Sequence, residues 1–172
     1  MNLTDIRDIR ALQARHGFHF SKSMGQNFLI ADWVPRDIAD AAELDENCAV
    51  LEIGPGIGSL THQLARQAGR VATIELDTSL LPILRETLGD CSNVEIIPGD
   101  VMKLDLSAIL SEKFSGFTIK ACANLPYNIT TPVLTRLLET GCFQSITVMI
   151  QKEVAKRICA APGDPDCGAF SL

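Results

Sequence analysis

No apolar run in this 172-residue chain approaches the ~18–20 residues that a membrane span needs, so no membrane-spanning helix is expected. Nor does an apolar stretch follow the start: Met1 to His16 carries charges throughout, which argues against a secretory signal. No two of the six cysteines (Cys48, Cys91, Cys122, Cys142, Cys159, Cys167) stand at C-x-x-C spacing, and most lie inside apolar segments. That points away from a metal site or a disulfide framework and toward reduced packing residues in a cytosolic protein. Internal repeats and low-complexity stretches are also lacking. So is an excess of positive charge: 15 Lys and Arg stand against 21 Asp and Glu, a net charge of −6. This sits badly with a nucleic-acid partner, because phosphate neutralisation drives such affinity. The basic residues near the start are Arg7, Arg10, Arg15 and Lys22, with His16 and His19, diluted by Asp5 and Asp8. On charge alone this cluster reads equally as a solvated helix face or as an RNA contact. What is present is a hydrophobic content of 47%, enough for one domain with a real core.

Residues 4–16 read as a short helix, with Thr4 as its cap, Leu3, Ile6, Ile9 and Leu12 near helical spacing, and Gly17 after its end. An irregular segment, 18–30, precedes a second helix at about 32–42. From there strands and helices alternate. Ala49–Ile53 is a buried strand ending in glycines, and Ser59–Ala68 a helix closed by Gly69. Arg70–Leu76 is a strand, and Ser79–Leu88 a helix with Pro82 in its first turn and Asp77 as a cap. Val94–Ile97 and Thr118–Ala123 are further strands. A helix follows in which Thr131 is the cap, Pro132 the first residue, and Val133, Leu134, Leu137 and Leu138 face inward. Ile146–Ile150 is the fifth strand and Glu153–Ala160 the last helix. Continuous apolar strands alternating with helices imply an α/β fold, with a mainly parallel sheet covered by helices on both faces. Ligands of such sheets bind beyond the carboxyl ends of the strands, which collects Gly54–Gly58, Glu75–Asp77, Asp100 and Asn124–Tyr127 in one cleft.

Glycines at 54, 56 and 58 let the backbone turn tightly and approach a ligand. The spacing is not the dinucleotide G-x-G-x-x-G, and no lysine is present for a phosphate loop. Glu75, 17 residues after Gly58, suits the two hydroxyls of a ribose. That placement is shared by nicotinamide and S-adenosylmethionine folds. Asp100 suits an adenine amino group, although Gly-Asp is equally a turn signal. The most informative segment is Asn124-Leu125-Pro126-Tyr127. Tyr127 suits stacking on a flat base. The Asn124 side-chain oxygen and the Leu125 carbonyl suit the protons of an exocyclic amino group. The lone pair of adenine N6 is delocalised into the ring, and two acceptors on its protons favour a more tetrahedral, nucleophilic nitrogen. A sulfonium methyl donor then needs no tuned general base, and positioning does most of the work.

Glu52-Ile-Gly-Pro-Gly, Glu75-Leu-Asp77, Gly99-Asp100 and Asn124-Leu-Pro-Tyr-Asn-Ile129, in this order, resemble the class I N6-adenine methyltransferases, which have a Rossmann-like fold. Lys22-Ser-Met-Gly-Gln-Asn-Phe-Leu29, and Gln151-Lys-Glu-Val154 with Arg157, narrow the likeness to the small-subunit ribosomal RNA adenine dimethyltransferases, the KsgA family. The resemblance implies methyl transfer from S-adenosylmethionine to N6 of two adjacent adenosines in the 3′-terminal hairpin of small-subunit rRNA, on the maturing small subunit. It implies a cytoplasmic enzyme that needs no metal and acts as a monomer. Gln26, Asn27 and Leu29 would help hold the methionine end of the cofactor, with Gly54 and Gly56 at the loop. Glu75 would hold the ribose and Asp100 the adenine. Asn124, beside the cofactor, would grip the target base with Leu125, Pro126 and Tyr127. Residues 1–30 would form a helix and a segment covering the cofactor, and 31–172 the methyltransferase domain. The family's later strands and helical domain have no counterpart before Leu172. A cofactor-competent site with little rRNA methylation and a bare fifth strand is therefore expected of these residues. Three other readings stay open: a 23S rRNA methyltransferase of the macrolide-resistance kind, a nicotinamide oxidoreductase, and a non-catalytic assembly factor.

Overall fold

The computed structural model describes residues 1–18, 31–126, 128–168 and 171. Five strands, β1 (Cys48–Ile53), β2 (Arg70–Glu75), β3 (Val94–Pro98), β4 (Thr118–Asn124) and β5 (Ser145–Met149), form one sheet in the order β3-β2-β1-β4-β5. Every neighbouring pair is parallel. All six residues of β1 are buried, as a central strand covered on both faces must be. Among the described residues there are seven α-helices, α1 (Ile6–His16), α2 (Trp33–Ala41), α3 (Ser59–Gln67), α4 (Leu81–Thr87), α5 (Leu106–Lys113), α6 (Thr130–Thr140) and α7 (Lys152–Ile158).

Alternation along the strands sends side chains to two cores. Leu51, Ile53, Ile74 and Ala123 pack with Leu106, Leu110 and Phe114 at α5, and with Val133, Leu134 and Leu137 of α6. Val50, Val71 and Cys122 pack on the other face with Ile38 and Ala39 of α2, and Leu60 and Leu64 of α3. A third cluster fastens α1: Ile9 and Leu12 bury against Ile57, Leu80 and Ile83. Because β1 leads to β2 on one side while β4 lies on its other side, the chain reverses direction across the sheet between β1 and β4. The carboxyl ends of those two strands flank the cleft.

Several local expectations need correction. The cap of α1 is Asp5, whose carboxylate accepts from the Arg7 N–H, while the Thr4 hydroxyl donates to Asn2 Oδ1. α6 starts at Thr130, so Thr131 lies inside it, and Thr130 Oγ1 donates back to the Pro126 carbonyl at 3.1 Å. Leu138 faces out, 61% exposed, because Val133, Leu134 and Leu137 already fill the inward stripe. α5 was not anticipated; Asp105 caps it through the Ala108 N–H at 3.0 Å. Asp77 does cap the short turn Thr78–Leu80 that leads into α4, accepting from Ser79 N at 3.0 Å. Cys48 and Cys122 are buried packing residues, but Cys142 and Cys159 are exposed.

Two buried polar contacts hold the lower rim. The Lys120 ammonium, on β4, donates to the carbonyls of Ala42 (3.0 Å) and Glu43 (2.7 Å) at the end of α2, so a charge inside an apolar strand is satisfied. Gly69 passes so close to the preceding loop that a β-carbon there would lie 2.1 Å from the Glu46 carbonyl oxygen. Gly69→Ala therefore forces the backbone apart. It should lower stability by about 2–4 kcal/mol, which is about 5–15 °C in Tm for a chain of this size. Thermal unfolding checks this, and an unchanged Tm would show that the loop yields freely.

Candidate functional site

The four expected strand ends do converge. Gly54, Pro55 and Gly56 after β1, Glu75 to Asp77 after β2, Gly99 to Met102 after β3, and Asn124 to Pro126 after β4 line one cavity of about 310 Å³. Gly54, Gly56 and Gly58 have φ of 70°, 60° and 92°, the left-handed region that glycine enters without steric cost. The Gly54 N–H donates to the Ile74 carbonyl at 3.0 Å, which folds the loop back over β2. A β-carbon built on Gly54 meets nothing within 4 Å, so the space above the loop is open to a ligand.

Glu75 ends β2 with only 6% of its surface exposed. Burial raises its carboxyl pKa above the usual range, while the backbone N–H groups of Asp77, Gly56 and Leu76 oppose the shift. The Asp77 N–H lies 2.7 Å from Glu75 Oε1, so the carboxylate is fixed rather than swinging. Asp100 serves two purposes. Its side chain lines the cavity, while Oδ1 accepts from Met102 N at 3.0 Å and Oδ2 lies 3.6 Å from the Lys103 ammonium. Asn124 is the last residue of β4, directly across from Met149, and the Leu125 N–H donates to the Met149 carbonyl at 3.3 Å. Pro126 turns the chain, its carbonyl accepting from Ile129 N at 3.2 Å. Tyr127 and the segment holding Gln26, Asn27 and Leu29 lie outside the described residues.

The cavity contains more than the motifs indicate. Glu52, two residues before Gly54, is buried beneath the loop and lines the cavity. With Glu75, Asp77 and Asp100 it makes four carboxyl side chains, and no Lys, Arg or His stands among the described lining residues. Ile57, Leu80, Val101, Leu125 and Ile129 supply apolar wall, and Leu76 and Met102 stand at its mouth 56% and 43% exposed. Large apolar side chains held open to solvent beside a cavity suit a flat ring slotted between them. In the sequence Leu76 stands only as the end of a strand, and Glu52 and Met102 give no separate signal.

Arg7 pairs with Asp5 at 2.7 Å, and Arg15 and His16 both reach Glu86 of α4 at 2.5 Å, so these side chains have partners within the fold. Those partners hold the Glu86 carboxyl below its usual range, the His16 contact first among them.

Residues 17–172 match the family described as ribosomal RNA adenine dimethylase. The chain belongs to this family. Over its whole length it is 49% identical to the ribosomal RNA small subunit methyltransferase A of Clostridium perfringens, of which it covers 60%. It resembles the crystal structure of a dimethyladenosine transferase from Plasmodium falciparum at 29% identity and a TM-score of 0.67, covering 81% of this chain and 49% of that one. The 23S rRNA methyltransferase ErmE is similar at 32% identity and a TM-score of 0.65, covering 76% of this chain and 50% of ErmE. The chain thus spans about 60% of the length of the curated relatives it matches. Five parallel strands with helices on both faces are the Rossmann-like core expected of the family.

Proposed function

We propose that the protein is an S-adenosylmethionine-dependent adenine N6,N6-dimethyltransferase acting on two adjacent adenosines near the 3′ end of small-subunit rRNA, in the cytoplasmic maturation of that subunit. One observation carries the reading: an acid-lined cavity with an apolar mouth opens directly beside Asn124, Leu125 and Pro126. The donor set fits a cationic nucleoside. Four carboxyl groups favour positive charge, the space over Gly54 is free, and Leu76 and Met102 suit the faces of an adenine ring.

S-adenosylmethionine supplies a methyl group on a positively charged sulfur. Everything else is positioning by the chain. Glu75 accepts from the ribose hydroxyls, and Asp100 accepts from the cofactor's adenine amino group. Gly54 and Gly56 let the backbone approach, and Gln26, Asn27 and Leu29 would help hold the methionine end. The Asn124 side-chain oxygen and the Leu125 carbonyl hold the protons of the target amino group, Pro126 shapes the turn, and Tyr127 stacks on the flipped base. Residues 1–30 act as an anchoring helix and cover, and 31–172 as the methyltransferase domain.

RNA has to meet the carboxyl end of the sheet, and positive charge is available there. α7 begins three residues after β5, has no buried residue, and carries Lys152, Lys156 and Arg157. Replacing all three with Ala should weaken binding of the 3′-terminal hairpin. It should also reduce the slope of log affinity against log salt by about 2, at roughly 0.7–0.9 per phosphate contact. Filter binding between 50 and 200 mM salt measures this, and an unchanged slope would place the RNA elsewhere.

The likeness to ErmE keeps a 23S target as the second reading. Gly54-Pro-Gly-Ile-Gly58 and Asn124-Leu-Pro-Tyr127 favour the small-subunit substrate. Mapping the methylated nucleotide after reaction with unmethylated 30S and 50S subunits separates the two.

A further inference from the structure

Glu52 is the penultimate residue of β1, 1% exposed, at the floor of the cavity. Its Oε2 accepts from the Thr61 hydroxyl of α3 at 2.6 Å. Its Oε1 is buried with no hydrogen-bond partner, and so is the hydroxyl oxygen of Thr73, the residue beside it on β2. On the other side stands Cys122 of β4, and Glu75 lies further along β2. α2 adds only apolar Ile38 and Ala39 to this face of the core. Asp77 and Asp100 lie around the same cavity. Among the described residues the groups near Glu52 are thus neutral or acidic, and none of those lining the cavity offers a counter-charge.

A carboxylate buried with one oxygen unpaired is costly, and such groups neutralise instead. Burial pushes the Glu52 carboxyl up to about 7, with the charge of Glu75 adding to the shift. The Thr61 hydroxyl opposes it, as does the Thr73 hydroxyl lying alongside without completing a hydrogen bond. Cys122 is pushed up to about 12, by burial first and by the Glu52 charge second, and so stays a neutral thiol.

We infer that Glu52 is a proton-exchanging group of the cavity: it holds a proton readily when no cation is present, and it gives that proton to solvent when a positively charged nucleoside binds. This rests on the reading of the cavity as a site for a sulfonium nucleoside, and it adds a role for a residue that touches neither the ribose nor the target base. A cation and a proton compete for the same buried charge. Loss of the sulfonium charge after methyl transfer then lets Glu52 take a proton back, which gives the protein a way to distinguish cofactor from spent product.

The sign follows from linkage. A bound cation favours the ionised carboxyl, so the proton affinity of Glu52 is lower in the complex. Binding therefore tightens as pH rises toward 7 and levels off above it. If the complex stays ionised at pH 6, affinity should rise about tenfold between pH 6 and pH 8.

Calorimetric titration of the protein with S-adenosylmethionine at pH 7, in phosphate and in Tris, reads the proton directly. The wild-type protein should release about half a proton, since the group is then half ionised. S-adenosylhomocysteine should show a weaker pH dependence. Glu52→Gln should release less than the wild-type protein, and its affinity should change less between pH 6 and pH 8. Thr61→Val keeps the carboxyl but removes its donor, so its proton release should move to higher pH. Equal release from Glu52→Gln, or an unmoved window in Thr61→Val, overturns the inference. Binding by the wild-type protein without proton release also overturns it and leaves the cofactor reading standing. No binding of S-adenosylmethionine at all removes both.

Discussion

If the proposed function holds, Asn124→Ala in the full-length enzyme should lower the single-turnover rate of methyl transfer to unmethylated small-subunit RNA by about 10²–10³-fold, the usual loss when one preorganised polar contact to a reacting group is removed. The expectation follows from position. Asn124 closes β4 where the sheet ends, its backbone fixed by the pairing with Met149, and its side chain is delivered to the cavity beside Leu125. A strand end in the middle of a covered sheet is as rigid as this fold provides, which suits a group whose task is orientation. Cofactor affinity should change by only about threefold, because the ribose and adenine contacts lie on β2 and β3. Stopped-flow or quenched-flow transfer, paired with calorimetric binding, separates the two effects. An undiminished rate would remove Asn124 from the chemistry.

The second large effect concerns Glu75. If Glu75 holds the ribose as proposed, Glu75→Ala would remove two charge-assisted hydrogen bonds, each worth about 1.5–3 kcal/mol, so affinity for S-adenosylmethionine should fall by about 10²–10⁴-fold. The substitution also frees the Asp77 N–H, now 2.7 Å from Oε1, and so loosens the turn that carries the site. Glu75→Gln keeps the shape and one acceptor, and should lose less than the Ala variant. Burial has already raised this carboxyl's pKa, so cofactor affinity should fall on acidification sooner than an exposed glutamate would dictate. Equal affinity in Glu75→Ala and wild type would move the ribose elsewhere.

The sheet was legible because its signal is redundant. Five apolar runs, each broken by glycine, proline or a polar strand end, leave few alternatives to a parallel sheet. Once the strands are placed, their carboxyl ends carry Gly54, Glu75, Asp100 and Asn124 to one cleft without further assumption. The misses have local causes. α5 hid because Ala108 and Ile109 interrupt the Leu106 and Leu110 stripe, leaving no clean polar face. Thr131 looked like a cap because Pro132 favours a first helical turn, but the turn begins one residue earlier through the Thr130–Pro126 bond. Leu138 matched the spacing of a buried face yet exceeds the width that one side of α6 can cover. Glu52 was read only as a letter in the glycine-loop motif. Its burial, and the lack of a nearby cation among the described residues, depend on neighbours such as Thr61, Thr73 and Cys122, which come from three other elements. The partner of Arg15 and His16 was not legible either, since Glu86 lies 70 residues from His16.

If the four strand ends form a site for S-adenosylmethionine, the thermal shift of residues 1–172 with S-adenosylmethionine and, separately, with NAD reads it most directly. A ligand present at about 100 times its Kd stabilises by about 2.7 kcal/mol, or roughly 5–11 °C for a chain of this length. A shift of that order is expected with S-adenosylmethionine, its loss in Glu75→Ala, and none with NAD. Stabilisation by NAD with no response to S-adenosylmethionine would contradict it.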